Sequence, residues 1–104
     1  MKVKVRFLGV LVRYAREGTV EFALPQGATV MELLGEIGRR FGEQFPEDLW
    51  SREASLFASQ VLMIRDQTTL QNQTIRLHEG DEIIVVRPIG GGALIVGLSA
   101  ESWL

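Results

Sequence analysis

Apolar and polar residues alternate from the beginning of the chain. Val3, Val5 and Phe7 share one side of an extended segment and Lys2, Lys4 and Arg6 the other, the period-two pattern of a strand buried on one face. After a loop over residues 9–18 the alternation returns, with Val20, Phe22 and Leu24 inward, until Pro25-Gln26-Gly27 ends it. These two strands are expected to pair as a hairpin. The period then changes. Thr29-Val30-Met31-Glu32 has the form of a capping box, and Val30, Leu33, Leu34, Ile37 and Phe41 recur on one side of a helix that Gly42 is expected to stop at the C′ position, with Glu36 and Arg40 paired on the outer side. Gly35 and Gly38 weaken that helix by about 1 kcal/mol each relative to alanine, so docking onto the sheet must hold it. Residues 45–57 are less regular and predict a short helix with Leu49, Trp50, Leu56 and Phe57 toward the core. Residues 60–65 read as a third strand ended by Asp66, and Thr69-Leu70 as a short fourth. The turn Leu77-His78-Glu79-Gly80-Asp81 leads into a strand over residues 82–87, closed by Pro88. That last strand is apolar on both faces, which places it in the middle of a sheet.

A hairpin, a helix and a further set of strands specify an α+β fold, a mixed sheet with one main helix packed on one face and the last strand beside the first. This is the β-grasp, or ubiquitin-like, arrangement. Because Ile84 and Val86 alternate with Ile83 and Val85, one pair must point toward the uncovered face, and an apolar patch there suggests a docking surface.

Composition narrows the chemistry. The 104 residues are 46% hydrophobic and 23% charged with a formal charge of −2, which fits one small acidic domain. The absence of cysteine excludes disulfides, thiolate zinc sites, nucleophilic thiols and iron–sulfur clusters, and His78 alone cannot furnish the imidazoles of most zinc or copper sites, so no metal is expected. Basic residues are scattered without an aromatic-interleaved stripe, so no nucleic-acid partner is expected. The charged N-terminal strand is unlike a signal peptide and no stretch has the apolar length of a membrane span, so a cytoplasmic protein without a membrane partner is expected. Asp81-Glu82 as a catalytic carboxylate pair is disfavoured because strand neighbours point to opposite faces, and His78 with the scattered serines offers only a nominal triad in a polar turn. Neither a P-loop nor a dinucleotide-binding glycine motif is present, so no nucleotide cofactor of its own is expected.

Leu77-His78-Glu79-Gly80-Asp81-Glu82, an apolar strand, Pro88-Ile89 and the run Gly90-Gly91-Gly92 resemble the terminal segment of MoaD/ThiS-type sulfur-carrier proteins, where Leu-x-x-Gly-Asp-Glu, a short strand, proline and Gly-Gly follow in that order. The helix opening over residues 27–34 is also similar, and the resemblance covers roughly residues 2–92. It implies that Gly91 and Gly92 form the reactive end. An ATP-dependent activating enzyme of the MoeB/ThiF type adenylates the terminal carboxylate, sulfur transfer makes a thiocarboxylate, and a large-subunit synthase of the MoaE type or another acceptor takes the sulfur. The ATP is the partner's, and the chain is a carrier, not an enzyme. By the same resemblance Ile84, Val86, Pro88, Ile89 and Gly90 are expected to meet the activating enzyme. Two glycines make a chain end thin and conformationally free enough to enter an enclosed site, and residues 88–92 extend about 16 Å at ~3.3 Å per residue.

One departure from the family pattern is plain: residues 93–104 follow Gly92, and while they remain, the Gly92 carbonyl is part of a peptide bond and cannot be adenylated. The chain accordingly divides into a β-grasp domain over 1–89, the glycine segment 90–92 and an extension over 93–104. Cleavage between Gly92 and Ala93 by a processing metallopeptidase would restore the reactive end. Alternatively the extension is structural, adding to a sheet edge or packing through Trp103 and Leu104 on the open face, in one chain or in a homodimer. The chain is then a non-catalytic interaction module. A third reading is a modifier joined to target lysines, with Lys2 or Lys4 as linkage sites.

Overall fold

The computed structural model describes residues 1–88, and its elements follow from the periodicities above. β1 (Lys2–Phe7) and β2 (Thr19–Ala23) pair antiparallel, with Val3 opposite Phe22 and Val5 opposite Val20 on the buried side. Between them lies α1 (Val10–Ala15), where the sequence predicts only loop. Six residues carry less than two turns of helical period; what stabilises them is the burial of Leu11 and Ala15, one turn apart on the core side.

The main helix, α2 (Val30–Phe41), begins and buries its stripe as expected: Val30, Leu33, Leu34, Ile37 and Phe41 face the sheet. The Glu32 carboxylate accepts from the Thr29 backbone N–H at 2.9 Å. Two details differ. Glu36 pairs with Arg39 rather than Arg40, whose guanidinium lies instead over the Phe22 ring, 4.9 Å from its centroid. Gly42 caps the helix in right-handed rather than left-handed geometry, and a Cβ there would sit 2.5 Å from the Gly38 carbonyl oxygen. Close approach, not turn conformation, explains this glycine.

Residues 45–57 form no helix. After turns around Pro46, β3 (Trp50–Ser51) and β4 (Leu56–Phe57) make a two-residue hairpin. The expected facing holds without the expected element: Leu49 and Trp50 are buried, and Leu56 and Phe57 pack partly buried against the core. Trp50 accounts for Gly38, since a Cβ at that position would fall 2.7 Å from the indole Cζ2. Gly35 meets nothing within 4 Å, and nothing in the structure explains it.

β5 (Leu62–Arg65), β6 (Thr68–Thr69) and β7 (Glu82–Val86) complete a five-stranded sheet in the order β2-β1-β7-β5-β6. β7 is central, parallel to β1 and antiparallel to β5. This is the mixed β-grasp sheet expected, with α2 on its inner face. Phe7, Phe41 and Phe45 meet at ring distances of 5.5–6.3 Å in the core, and no polar or charged residue is buried among the described residues.

Candidate functional site

The candidate site is the outer face of β7 and the point where the chain leaves it. Its position is set by the Leu77-x-x-Gly80-Asp81 turn. Leu77 is buried and its N–H donates to the Ala28 carbonyl at 2.9 Å, which ties the turn to the start of α2. Gly80 has φ +84, a conformation that L side chains rarely adopt, and its N–H donates to the Lys2 carbonyl at 2.8 Å. The Asp81 carboxylate accepts at Oδ2 from the His78 backbone N–H at 2.8 Å and from the Arg65 guanidinium at 2.9 Å, while the Lys4 N–H donates to the Asp81 carbonyl at 2.8 Å. The Gly80 and Asp81 backbone bonds to Lys2 and Lys4 fix the turn against β1, and the Asp81 carboxylate ties it to Arg65 of β5. The Asp81–Arg65 pair is mostly withdrawn from solvent, with side-chain exposures of 15% and 19%.

Asp81 and Glu82 part company as strand geometry requires. Asp81 turns to Arg65, and Glu82 lies 3.6 Å from Arg6 across the outer face in a half-exposed ion pair. His78 is exposed in its turn. Among the described residues no three His, Asp or Glu side chains gather as metal ligands. Glu36 hydrogen-bonds to Arg39 and raises its pKa from the ordinary value, which leaves on the helix surface a cation that is charged in any case.

Ile83 and Val85 are fully enclosed in the core. Ile84 and Val86 take the other side, where register places Ile84 opposite Ile64 and Val86 opposite Leu62. The four form an apolar quartet on β7 and β5. Ile84 and Leu62 are half-buried, whereas Ile64 and Val86 keep only 9% exposure although both lie outside the main core cluster. Lys2, Lys4 and Arg6 of β1 flank the quartet on one side. Beyond its far end, toward Gly80 and Glu82, a pocket of about 440 Å³ opens between Ile64, Ile84 and Asp66.

The sequence singles out Ile84, Val86 and Pro88, and the structure brings Ile84 and Val86 to one face and half-buries Pro88 where the chain leaves it. Ile89, Gly90, Gly91, Gly92 and Ala93, with the extension over 93–104, lie outside the described residues. Sequence reasoning missed Leu62 and Ile64, which supply half of the apolar face, and Arg65, the partner of Asp81. The signal for Leu62 and Ile64 was the run Val61-Leu62-Met63-Ile64, apolar at consecutive positions and therefore on both faces of a strand.

Comparison with solved structures gives the same architecture. SAMP1 from Haloferax volcanii superposes with a TM-score of 0.71 at 16% identity, covering 88% of this chain and 100% of its own. A putative molybdopterin converting factor subunit 1 from Pyrococcus furiosus gives 0.65 at 25% identity, covering 85% of this chain and 98% of that one. A complex of subunits 1 and 2 of the molybdopterin-converting factor from Helicobacter pylori contains a chain similar at a TM-score of 0.59 and 21% identity, covering 88% and 100%. No curated protein matches by sequence. The ThiS family model matches residues 5–92, from the first strand through the last glycine of the run. With this match over most of its length and the ubiquitin-like β-grasp fold it shares with the structures above, the chain belongs to the ThiS family.

Proposed function

We propose that this chain is a sulfur carrier whose Gly91-Gly92 end, once exposed by hydrolysis of the Gly92–Ala93 peptide bond, is adenylated and thiocarboxylated to deliver sulfur in molybdopterin or related cofactor biosynthesis. The observation that carries this reading is the end of the family match at Gly92, six residues beyond the central strand, with twelve further residues still attached. The chemistry is that of an acyl carrier. A carboxylate oxygen of Gly92 attacks the α-phosphorus of ATP and expels pyrophosphate; hydrosulfide then attacks the acyl carbon and expels AMP, leaving a thiocarboxylate. The chain itself supplies the carboxylate, the slender glycine lead and the docking face. Ile84, Val86 and Pro88, with Ile89 and Gly90, are the residues assigned to contact with an activating enzyme of the MoeB/ThiF type. The Helicobacter pylori pair of subunits supports a synthase-type second partner, and the proposal sets the chain in the cytoplasm. Among the described residues no helix is long and apolar enough to cross a membrane.

The likeness to SAMP1, small archaeal modifier protein 1 of Haloferax volcanii, favours a second reading, in which the same glycine end is joined to lysines of other proteins. Lys2 and Lys4 are exposed on the outer face, where they are available as linkage sites. Intact mass spectrometry of the protein from its native cell separates the readings. A species ending at Gly92, with one oxygen replaced by sulfur, is the expected result. Branched peptides carrying Gly-Gly on lysine identify the modifier instead, and a full-length mass under all growth conditions defeats both and leaves a non-catalytic interaction module.

A further inference from the structure

One flank of α2 carries Gly35, Gly38 and Gly42, and beside them a slot of about 290 Å³ opens between the helix and the β3–β4 hairpin. Two of these glycines have neighbours that require them: a Cβ at Gly38 would strike the Trp50 indole, and one at Gly42 the Gly38 carbonyl. Gly35 weakens the helix without such a reason and leaves open space at the slot. Trp50 also lines the slot. It is 1% exposed, and its indole N–H has no acceptor among the described residues. A buried indole N–H ordinarily finds a partner, and leaving it without one is costly. The indole edge that carries it is turned to the lining glycines, with Nε1 3.3 Å from where a Cβ of Gly42 would stand.

The rim decides what that donor can receive. Arg39 is hydrogen-bonded to Glu36, and Arg52 to Glu47 at 3.0 Å and to the Gly42 carbonyl at 3.2 Å, so both guanidiniums are engaged. Glu43 lines the slot without a paired cation among the described residues, so that the two guanidiniums stand among three carboxylates. An added anion meets net negative charge, and an added cation meets an N–H at the indole. A peptide unit suits both, because its carbonyl accepts from Trp50 while its N–H donates to the Glu43 carboxylate or the Ser55 hydroxyl. Gly35 to Gly42 covers about 10 Å of helix at ~1.5 Å per residue, the length of about three extended residues, and bare glycines let a backbone approach closely. The volume stands at the lower edge of the roughly 300–1,000 Å³ of small-ligand clefts, which fits a short segment.

We propose that this slot binds an uncharged, extended segment of a partner protein, with one backbone carbonyl on the Trp50 indole N–H and a backbone N–H on Glu43. The inference goes beyond the carrier reading and does not rest on it: the slot lies on the helix side of the sheet, and the docking face assigned above lies on the other.

The indole N–H signal of Trp50 reports the contact in the full chain, and Trp103→Phe identifies which of the two tryptophan signals it is. Titration with N-acetyl-trialanine amide is expected to move that signal saturably. Gly35→Leu, which fills the open space, is expected to weaken binding by about tenfold or more in a domain whose urea midpoint shows it folded. Gly35→Ala is the milder variant should leucine disturb the helix, with an expected loss of about threefold. The proposal is overturned if the signal stays in place up to the solubility of the peptide, which leaves the N–H to a bound water. It also fails if both Gly35 variants bind as tightly as the parent. Tighter binding of acetate, or of the same peptide with aspartate or lysine at its centre, assigns the slot to a charged ligand and overturns it as well. The measurement involves no ATP or sulfur, so its failure leaves the carrier reading standing, and a missing thiocarboxylate leaves this result standing.

Discussion

β7 presents the same residue types to two different environments. Ile83 and Val85 point inward and are fully enclosed; Ile84 and Val86 lie on the opposite side of the strand beside Ile64 and Leu62 of β5, Ile84 half-buried and Val86 buried outside the main core cluster. Chemistry alone does not distinguish the pairs, and only strand parity against the helix layer does. The inner pair builds the domain. The outer pair lies outside the main core cluster, and of the two only Ile84 keeps part of its side chain in solvent.

The largest effect should come from the inner side. Ile83→Ala is expected to cost about 2–5 kcal/mol, read as the shift of the urea unfolding midpoint, whereas Ile84→Ala should cost less than about 1 kcal/mol. Equal losses would erase the contrast. Conversely, on the carrier function proposed above, Ile84→Ala in a chain ending at Gly92 should weaken binding to an activating enzyme of the MoeB/ThiF type about 30-fold in a titration, the equivalent of a hot spot of ~2 kcal/mol, and Ile83→Ala should act only through stability. Next in size is the pair that aligns β7: Arg65→Ala leaves the Asp81 carboxylate mostly enclosed and should cost about 1–3 kcal/mol, with faster hydrogen exchange at the Lys4 and Gly80 amides. The helix has its own two sides. Gly38→Ala pushes a methyl into Trp50 and should destabilise by ~1–2 kcal/mol, while Gly35→Ala, facing open space, should stabilise by up to ~1 kcal/mol in thermal melts. Smallest is Arg6→Ala, which removes a half-exposed ion pair with Glu82 and should change stability by less than ~0.5 kcal/mol.

Most of this frame was legible beforehand. β1, β2 and α2 carry enough periods of alternation or helical spacing to declare both type and facing, and β7 announced its central place by being apolar on both sides. What escaped were features decided by tertiary contact. α1 is held by two docked residues in a segment too short to show a period. Residues 45–57 face the core as expected, but Pro46 and the slot over Gly38 make turns and a hairpin of them. Half of the outer patch, Leu62 and Ile64, stayed hidden in a consecutive apolar run until its register against β7 was known. The Asp81 of the recognisable motif was visible; its distant partner Arg65 was not, because pairing across sixteen residues leaves no local trace.

The placement of β7 between β1 and β5 also has a mechanical meaning. A partner that draws on the chain beyond Pro88 pulls along the strand axis, while the ladder bonds on both flanks run across it. Such a load is shared in shear by two sets of hydrogen bonds, and a pull along that axis does not peel them away one at a time. A pull on Pro88 is thus borne by the middle of the sheet, as a rope holds when it is woven into the middle of a net and not tied to its hem.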